Sequence, residues 1–251
     1  MSDSLETRQA EGKQGTLQLQ VNGAGHVFNF PAQGNAAAHL QSIFGGKVYQ
    51  PVGLKNLKPT RIIDIGANVG ASAIFFHSRY PDAKIDCFEP SSTNFQYLTG
   101  NLADFPSVSL HPFGLYSASE DVTLLAGNSQ CLQHSIFPSA EVSANGEQIH
   151  LKDAFVELDG IIEEQTLLKI DTEGCELPIL TRLKTAFDQL KVIYLEFHSE
   201  TDRIRIDELL RPTHGLWNAT VKFPHRGDVC YVHRSLWEND PAISQWEIRT
   251  P

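Results

Sequence analysis

Two short segments carry ionisable side chains at a spacing suited to chemistry on an oxygen. In Leu167-Leu168-Lys169-Ile170-Asp171-Thr172-Glu173, alternation along an extended strand puts Lys169, Asp171 and Glu173 on one side. In Val192–His198 it groups Tyr194, Glu196 and His198, while Ile193, Leu195 and Phe197 face the other way. Neighbouring strands lie about 4.8 Å apart, so Asp171 and Glu196, each at the carboxyl end of its strand, reach one ligand. In the leading reading no metal takes part: Asp171 orients or deprotonates a hydroxyl, Glu196 belongs to the same catalytic group, and His198 is the alternative base, because an imidazole titrates at about 6.5. In the second, Asp171 and Glu196, joined by Glu173 or His198, hold a divalent cation of the magnesium type. In the third, Lys169 pairs with one acid and Glu173 caps the next helix beside Gly174, a purely structural network.

A second cluster lies upstream. Arg61-Ile62-Ile63-Asp64-Ile65 is an apolar strand run, Gly66-Ala67-Asn68-Val69-Gly70 a glycine turn, and Ala71-Ser72-Ala73 the start of a helix. Glycine permits positive φ and close backbone approach, so a nucleotide-like ligand lies across such a turn. Glu89 follows Gly70 by nineteen residues, at the end of the next strand, where a carboxylate accepts both ribose hydroxyls. Charge selects among nucleotides. A dinucleotide fold aims bare amides at a pyrophosphate, which Asp64 would repel. S-adenosylmethionine (SAM) has no phosphate and carries an ammonium and a sulfonium, so Asp64, Gly66, Asn68 and Gly70 predict SAM. The rival is an NAD(P)-dependent oxidoreductase.

These residues need a frame, and the hydrophobic texture supplies one. Apolar runs predict strands at 61–65, 84–88, 108–113, 167–171 and 192–197, with helical spacing over 71–79, 92–104, 176–184 and 201–210. Such alternation is a doubly wound α/β sheet, mostly parallel. Residues 216–223 and 229–233 flank the turn Pro224–Asp228 and predict a C-terminal antiparallel hairpin. Upstream, residues 1–15 read as a disordered polar tail. Residues 16–58 read as an N-terminal cap, a β-hairpin followed by a helix over Ala36–Phe44 that Asn35 caps and Gly45-Gly46 closes. The main domain is expected over 59–251. Its excursion at 120–150, with Val122–Leu125 and the polar Gly127–Asn145, is expected to bring an acceptor to the nucleotide, with His134-Ser135 as a candidate contact.

At this level of detail the chain resembles the FkbM-type methyltransferases. The resemblance rests on Ile63-Asp64-Ile65-Gly66-Ala67-Asn68-Val69-Gly70, on Phe88-Glu89-Pro90 followed by Asn94 and Leu98, and on Lys169-Ile170-Asp171-Thr172-Glu173-Gly174-Cys175-Glu176. It covers roughly Tyr49 to Glu196, and the third motif is its most specific part. It implies a Rossmann-like class I methyltransferase sheet whose last strand runs antiparallel, and SAM-dependent transfer to hydroxyls of natural products or sugars. It also adds Pro90, Asn94, Gly114 and Leu115 to the cofactor residues, the last two beside the adenine. Methyl transfer from sulfonium to oxygen is an in-line displacement, so the enzyme chiefly aligns two reactants while a base removes a proton. The alternative is a non-catalytic SAM-binding or methyltransferase-like scaffold.

Composition narrows the partners. The 251 residues, 41% hydrophobic and 20% charged, have the balance of an ordinary globular chain. A formal net charge of −10 with no basic cluster disfavours nucleic acid and anionic membranes, leaving a small-molecule acceptor. The start of the chain lacks a secretion signal and no apolar run reaches membrane-spanning length, so a cytoplasmic location is expected. Cys87, Cys131, Cys175 and Cys230 are scattered without a Cys-x-x-Cys pair and read as core thiols.

Overall fold

The computed structural model describes residues 7–9, 14–32, 35–126, 134–135 and 146–238. Strands β1 (Thr7–Gln9), β2 (Gln14–Val21) and β3 (Ala24–Pro31) form an antiparallel sheet in that order. Asn22 and Gly23 join β2 to β3 with φ of 51° and 85°, the left-handed pair that a tight hairpin turn requires. The expected hairpin is present, but the polar tail is corrected at its inner end. Thr7–Gln9 pair with Gly15–Leu17 through the backbone, which needs no apolar side chain and so leaves no mark on composition.

Helix α1 (Ala36–Phe44) buries Ala36, Leu40 and Ile43, one face at helical spacing, and ends at Gly45-Gly46, where Gly46 takes φ 69°. Asn35 precedes it but makes no capping hydrogen bond from its side chain. The parallel units follow: β4 (Arg61–Ile65), α2 (Ala71–Arg79), β5 (Lys84–Phe88), α3 (Ser92–Asn101) and β6 (Val108–His111). The excursion is a second sheet of its own. Strands β7 (Gly114–Tyr116), β8 (Glu120–Ala126), β9 (His134–Ser135) and β10 (Gly146–Asp153) assemble in the order β7-β10-β8-β9. Residues 127–133 and 136–145 of the expected acceptor segment lie outside the described residues, as do the side chains of His134 and Ser135. The short α4 (Ala154–Leu158) leads into β11 (Thr166–Ile170), α5 (Glu176–Arg182), β12 (Leu190–Phe197), α6 (Glu200–Leu210), β13 (His214–Phe223) and β14 (Arg226–His233).

The main sheet has the order β13-β14-β12-β11-β4-β5-β6. All pairs from β12 to β6 are parallel, and β14 pairs antiparallel with both β12 and β13, as the terminal hairpin requires. Successive residues of each central strand serve opposite cores. Ile62, Leu167 and Val192 pack into the cluster under α2 and the N-terminal cap, while Ile63, Leu168 and Ile193 pack into the one under α5 and α6. Asn101 clamps cap to core: its Oδ1 accepts the Asn29 amide at 2.8 Å, and its Nδ2 donates to Asn29 O and Val69 O, each at 2.8 Å. From β4 the chain winds outward to β5 and β6, then returns to β11 and β12 on the other side. The crevice between the ends of β4 and β11 is therefore the topological switch point, where open α/β sheets bind ligands.

Candidate functional site

The loop after β4 is shaped by what lies beneath it. Gly66 has φ 76°, and a Cβ there would stand 1.9 Å from the carbonyl oxygen of Asp171, so only glycine lets the two switch-point loops touch. Its amide and that of Ala67 both donate to Phe88 O, at 2.9 and 3.0 Å. Gly70, at φ 94°, starts α2, and a Cβ there would come 3.0 Å from Leu98. Asp64 points away from the loop's outer surface. It is fully buried, accepts from the Ser72 hydroxyl at 2.5 Å and pairs with Lys169 Nζ at 3.0 Å, while Lys169 also donates to Gly66 O at 2.5 Å. Burial favours a neutral Lys169, but Asp64 and Asp171 outweigh it and keep the ammonium charged. Two expectations are thereby corrected. Asp64 and Gly70 brace the loop and do not line the cleft, and because Lys169 neutralises Asp64, that charge cannot discriminate one nucleotide from another.

Gly66, Asn68, Glu89, Pro90, Asn94, Gly114 and Leu115 do come together, lining one cleft of about 680 Å³ open to solvent. Glu89 accepts the amides of Asn68 and Ser91, each at 2.9 Å, which fixes its carboxylate at the end of β5. Burial nevertheless pushes its pKa up to about 6 against those bonds. The opposite wall was missed in the sequence. Leu124 of β8 and Ile149 and Leu151 of β10 form an apolar face of the small sheet, and Ser92 N donates to Glu147 at 2.9 Å to dock it. The described part of the excursion thus walls the cleft that Glu89 lines, while most of the segment Gly127–Asn145 expected to meet an acceptor lies outside the described residues. Its signal was present in the alternation of Val122 with Leu124 and of Ile149 with Leu151.

Asp171 sits one residue past β11, at the far end of the cleft. It also borders two smaller cavities. One, of about 340 Å³, lies between α1 and the glycine loop; the other, of about 220 Å³, reaches Glu196 and Asp228. Desolvation and the neighbouring Glu196 outweigh Lys169 and raise the Asp171 pKa to about 7. Beyond it the strand does not continue: Glu173 and Gly174 take φ of 55° and 117°, turning the chain so that Glu173 meets His198 Nε2 at 2.9 Å. Glu173 does not cap the next helix, which has no side-chain cap; the turn ahead of it is held by Glu176, whose Oε1 accepts the amides of Thr172 at 2.9 Å and Gly174 at 3.2 Å.

Two catalytic candidates are corrected by their partners. Burial alone would lower the His198 pKa, but the carboxylates of Glu173, 2.9 Å from Nε2, and Glu176, 3.3 Å from Nδ1, lift it to about 11, so the imidazole is a cation at neutral pH and a poor base. Burial would raise that of Glu196, but Arg226 Nε at 2.7 Å and Lys222 Nζ at 3.0 Å hold it down at about 2. Its oxygens are committed to those cations. Ligand atoms of Asp171, Glu173, Glu196 and His198 do fall within 4.8 Å of one another. Protonated His198, Arg226 and Lys222 already supply positive charge there, and Arg226 also reaches Glu173 at 3.4 Å. A divalent cation would have to displace them. Cys87, Cys175 and Cys230 are buried free thiols, and Cys131 lies outside the described residues.

Comparison with known proteins assigns this arrangement. The Methyltransferase FkbM domain model matches residues 64–225. Hexuronic acid methyltransferase AglP of Haloferax volcanii is 28% identical over 152 residues, covering 59% of this chain and 59% of that protein. Methyltransferase sdnD of Sordaria araneosa is 29% identical over 151 residues, covering 47% of this chain and 58% of that one. The chain thus spans less than two thirds of the length of either relative. Among solved structures, a methyltransferase FkbM from Methylobacillus flagellatus KT superposes with a TM-score of 0.54 at 18% identity, over 76% of this chain and 48% of the other. The fibrillarin/Nop5p complex superposes at 0.50 with 12% identity, over 87% and 94%. Both likenesses show the class I methyltransferase fold. Since the family match begins at the buried acid of β4, runs through both switch-point loops and takes in well over half the residues, the chain belongs to the FkbM methyltransferase family.

Proposed function

We propose that this protein transfers the methyl group of SAM to a hydroxyl oxygen of a small molecule, with Asp171 receiving the hydroxyl proton. The observation that carries the reading is the position of Asp171, which alone among the described residues is common to the large cleft and the two smaller cavities. One group at that junction meets both reactants.

The large cleft suits the adenosine end of SAM. Glu89 keeps lone pairs for the ribose hydroxyls, Gly66 allows close approach, and Leu115, Leu124, Ile149 and Leu151 offer apolar surface to a base. With Asp64 neutralised, discrimination against a pyrophosphate passes to the lining itself, which carries Glu89, Asp171 and Glu173 and, among the described residues, no Lys, Arg or His. SAM supplies a methyl group on a cationic sulfur; the acceptor oxygen takes it, S-adenosylhomocysteine (SAH) leaves, and the proton goes to Asp171. The cations around Glu196 hold the neighbouring acids ionised, and those acids in turn raise the affinity of Asp171 for that proton. The Haloferax relative is named for a hexuronic acid, which brings sugars into the range of acceptors.

Calorimetry with SAM and SAH, followed by a methyl-transfer assay on a panel of hydroxyl compounds, tests the reading. Binding without turnover on any member would make the protein a scaffold, and NADH binding with none for SAM would make it an oxidoreductase. Two further results are expected. Because the working form of Asp171 is the ionised one, kcat/KM should climb as pH rises through about 7 and level off above it. A profile that declines across that interval would remove Asp171 as the base. We also propose chemistry without a metal, since cations of the chain occupy the acidic cluster; exhaustive chelation should leave turnover unchanged, and loss of activity restored by magnesium would contradict this.

A further inference from the structure

The terminal hairpin closes through Pro224-His225, with Phe223 and Arg226 opposite each other across the turn. Proline fixes its own φ, so the tip is stiff. Phe223 is 60% exposed there, and its ring stacks on that of His225 with centroids 5.8 Å apart and planes 13° from parallel. A lone exposed apolar side chain is ordinary on a protein surface. This ring, however, is held in a set orientation by a second ring instead of folding onto the core.

Register decides which way the tip faces. Glu196 pairs with Asp228 and Asp228 with Thr220, so the three share one face of the sheet, the face from which Tyr194 meets the cap segment at Gln50. Arg226 lies two residues before Asp228, on that same face, and reaches Glu196 at 2.7 Å and Glu173 at 3.4 Å. A register shift between Val221 and Phe223 then sets Phe223 against Arg226, so the aromatic ring joins the face that carries the acids. One further side chain leads to the proposed base, because Glu196 and Asp171 have carboxylate oxygens within 4.8 Å of each other. The charges of Glu196, Lys222 and Arg226 also act on His39 of α1, which places the cap helix across from the tip.

We propose that Phe223, braced by His225, is the platform on which the acceptor's ring lies, with the hydroxyl to be methylated directed past Arg226 toward Asp171. The inference rests on the methyl-transfer reading above and adds the acceptor's shape: a ring compound with an apolar C–H face, as a pyranoside has. The platform lies on the surface, so the ring need not fit inside the small cavities and only its reacting hydroxyl enters the junction at Asp171. An aromatic face rewards a flat, weakly polar surface laid against it, and an open-chain polyol presents none. Arg226, tied to both Glu196 and Glu173, fixes the separation of platform and base.

The test uses Phe223→Ser and Phe223→Tyr. Wild type and both variants are loaded with SAH and titrated with neutral methyl pyranosides and with open-chain polyols, then assayed with SAM on the same compounds. Phe223→Ser should unfold at the urea concentration of wild type and bind SAH within about twofold, since an exposed ring has few contacts to lose. Pyranosides should bind it about tenfold more weakly, the worth of covering one face of a phenyl ring. Their KM should rise by the same factor with kcat within about twofold, the pattern of binding lost equally from ground and transition states. Phe223→Tyr should restore both values, and open-chain polyols should not distinguish the three proteins. Equal pyranoside affinity in wild type and Phe223→Ser, an equal loss for the polyols, or no pyranoside binding by SAH-loaded wild type would each overturn the proposal. So would a lower sedimentation coefficient for Phe223→Ser at unchanged KM, which would give the ring to a second copy of the chain. Pyranoside binding that depends on Phe223 without any methyl transfer would keep the platform and remove the methyl-transfer reading instead.

Discussion

Replacing Asp171 with Asn is expected to lower turnover by about 10²- to 10⁴-fold while leaving SAM and SAH affinity near wild type, the range seen when a general base is removed. The isosteric amide keeps the shape at the junction of the three cavities and loses only the capacity to take a proton. The same substitution should stabilise the protein at alkaline pH. A carboxyl whose folded pKa stands at about 7, against about 3.9 in an unfolded chain, favours folding while protonated. That contribution is complete below the unfolded value and drains away as pH rises through the folded one. At pH 8 wild type therefore holds a desolvated charge that Asn does not, and the melting temperature of Asp171→Asn should exceed that of wild type, with the gap closing as pH falls. A variant at full turnover with bound SAH would end the catalytic assignment; low turnover with lost SAH affinity would reassign Asp171 to donor binding.

Gly66→Ala is expected to cost more than any surface change and to abolish SAH binding altogether. Its Cβ would stand 1.9 Å from Asp171 O and 2.9 Å from Asp171 C, both backbone atoms that cannot swing aside. The φ of 76° adds about 1–2 kcal/mol for a left-handed alanine. Relief requires parting the loops after β4 and β11, which opens the switch point itself, so a total loss above about 3 kcal/mol is expected. Urea unfolding and SAH calorimetry measure both effects. Unchanged stability with normal SAH affinity would show that the loops are not packed as described.

The centre of the main sheet was legible because β4, β11 and β12 are buried along nearly their whole length and rich in Ile, Leu and Val. The residues of the Glu89 side were legible for a related reason: glycines and a strand-end carboxylate are positional signals, fixed by backbone geometry. Charge was not legible in the same way. Asp64 looked like a ligand contact because no sequence pattern announces that Lys169, its register partner on the neighbouring strand β11, will neutralise it. His198 looked like a base for want of knowing that Glu173 and Glu176 converge on it from a turn with two left-handed residues. Glu196 was misjudged through Arg226 and Lys222, which arrive from β14 and β13. Titration depends on neighbours brought by the sheet order, and that order is a tertiary fact.

The pairing of Asp64 with Lys169 bears on how such a protein can be recombined. Each half of the chain carries one member of a buried ion pair, and neither member survives alone without an orphaned charge in the core, at a cost of about 3–5 kcal/mol. A chimaera joined anywhere between those two positions is expected to fold only when the second parent restores the opposite charge, whatever acceptor either parent prefers. The two loops of the switch point have to be inherited together.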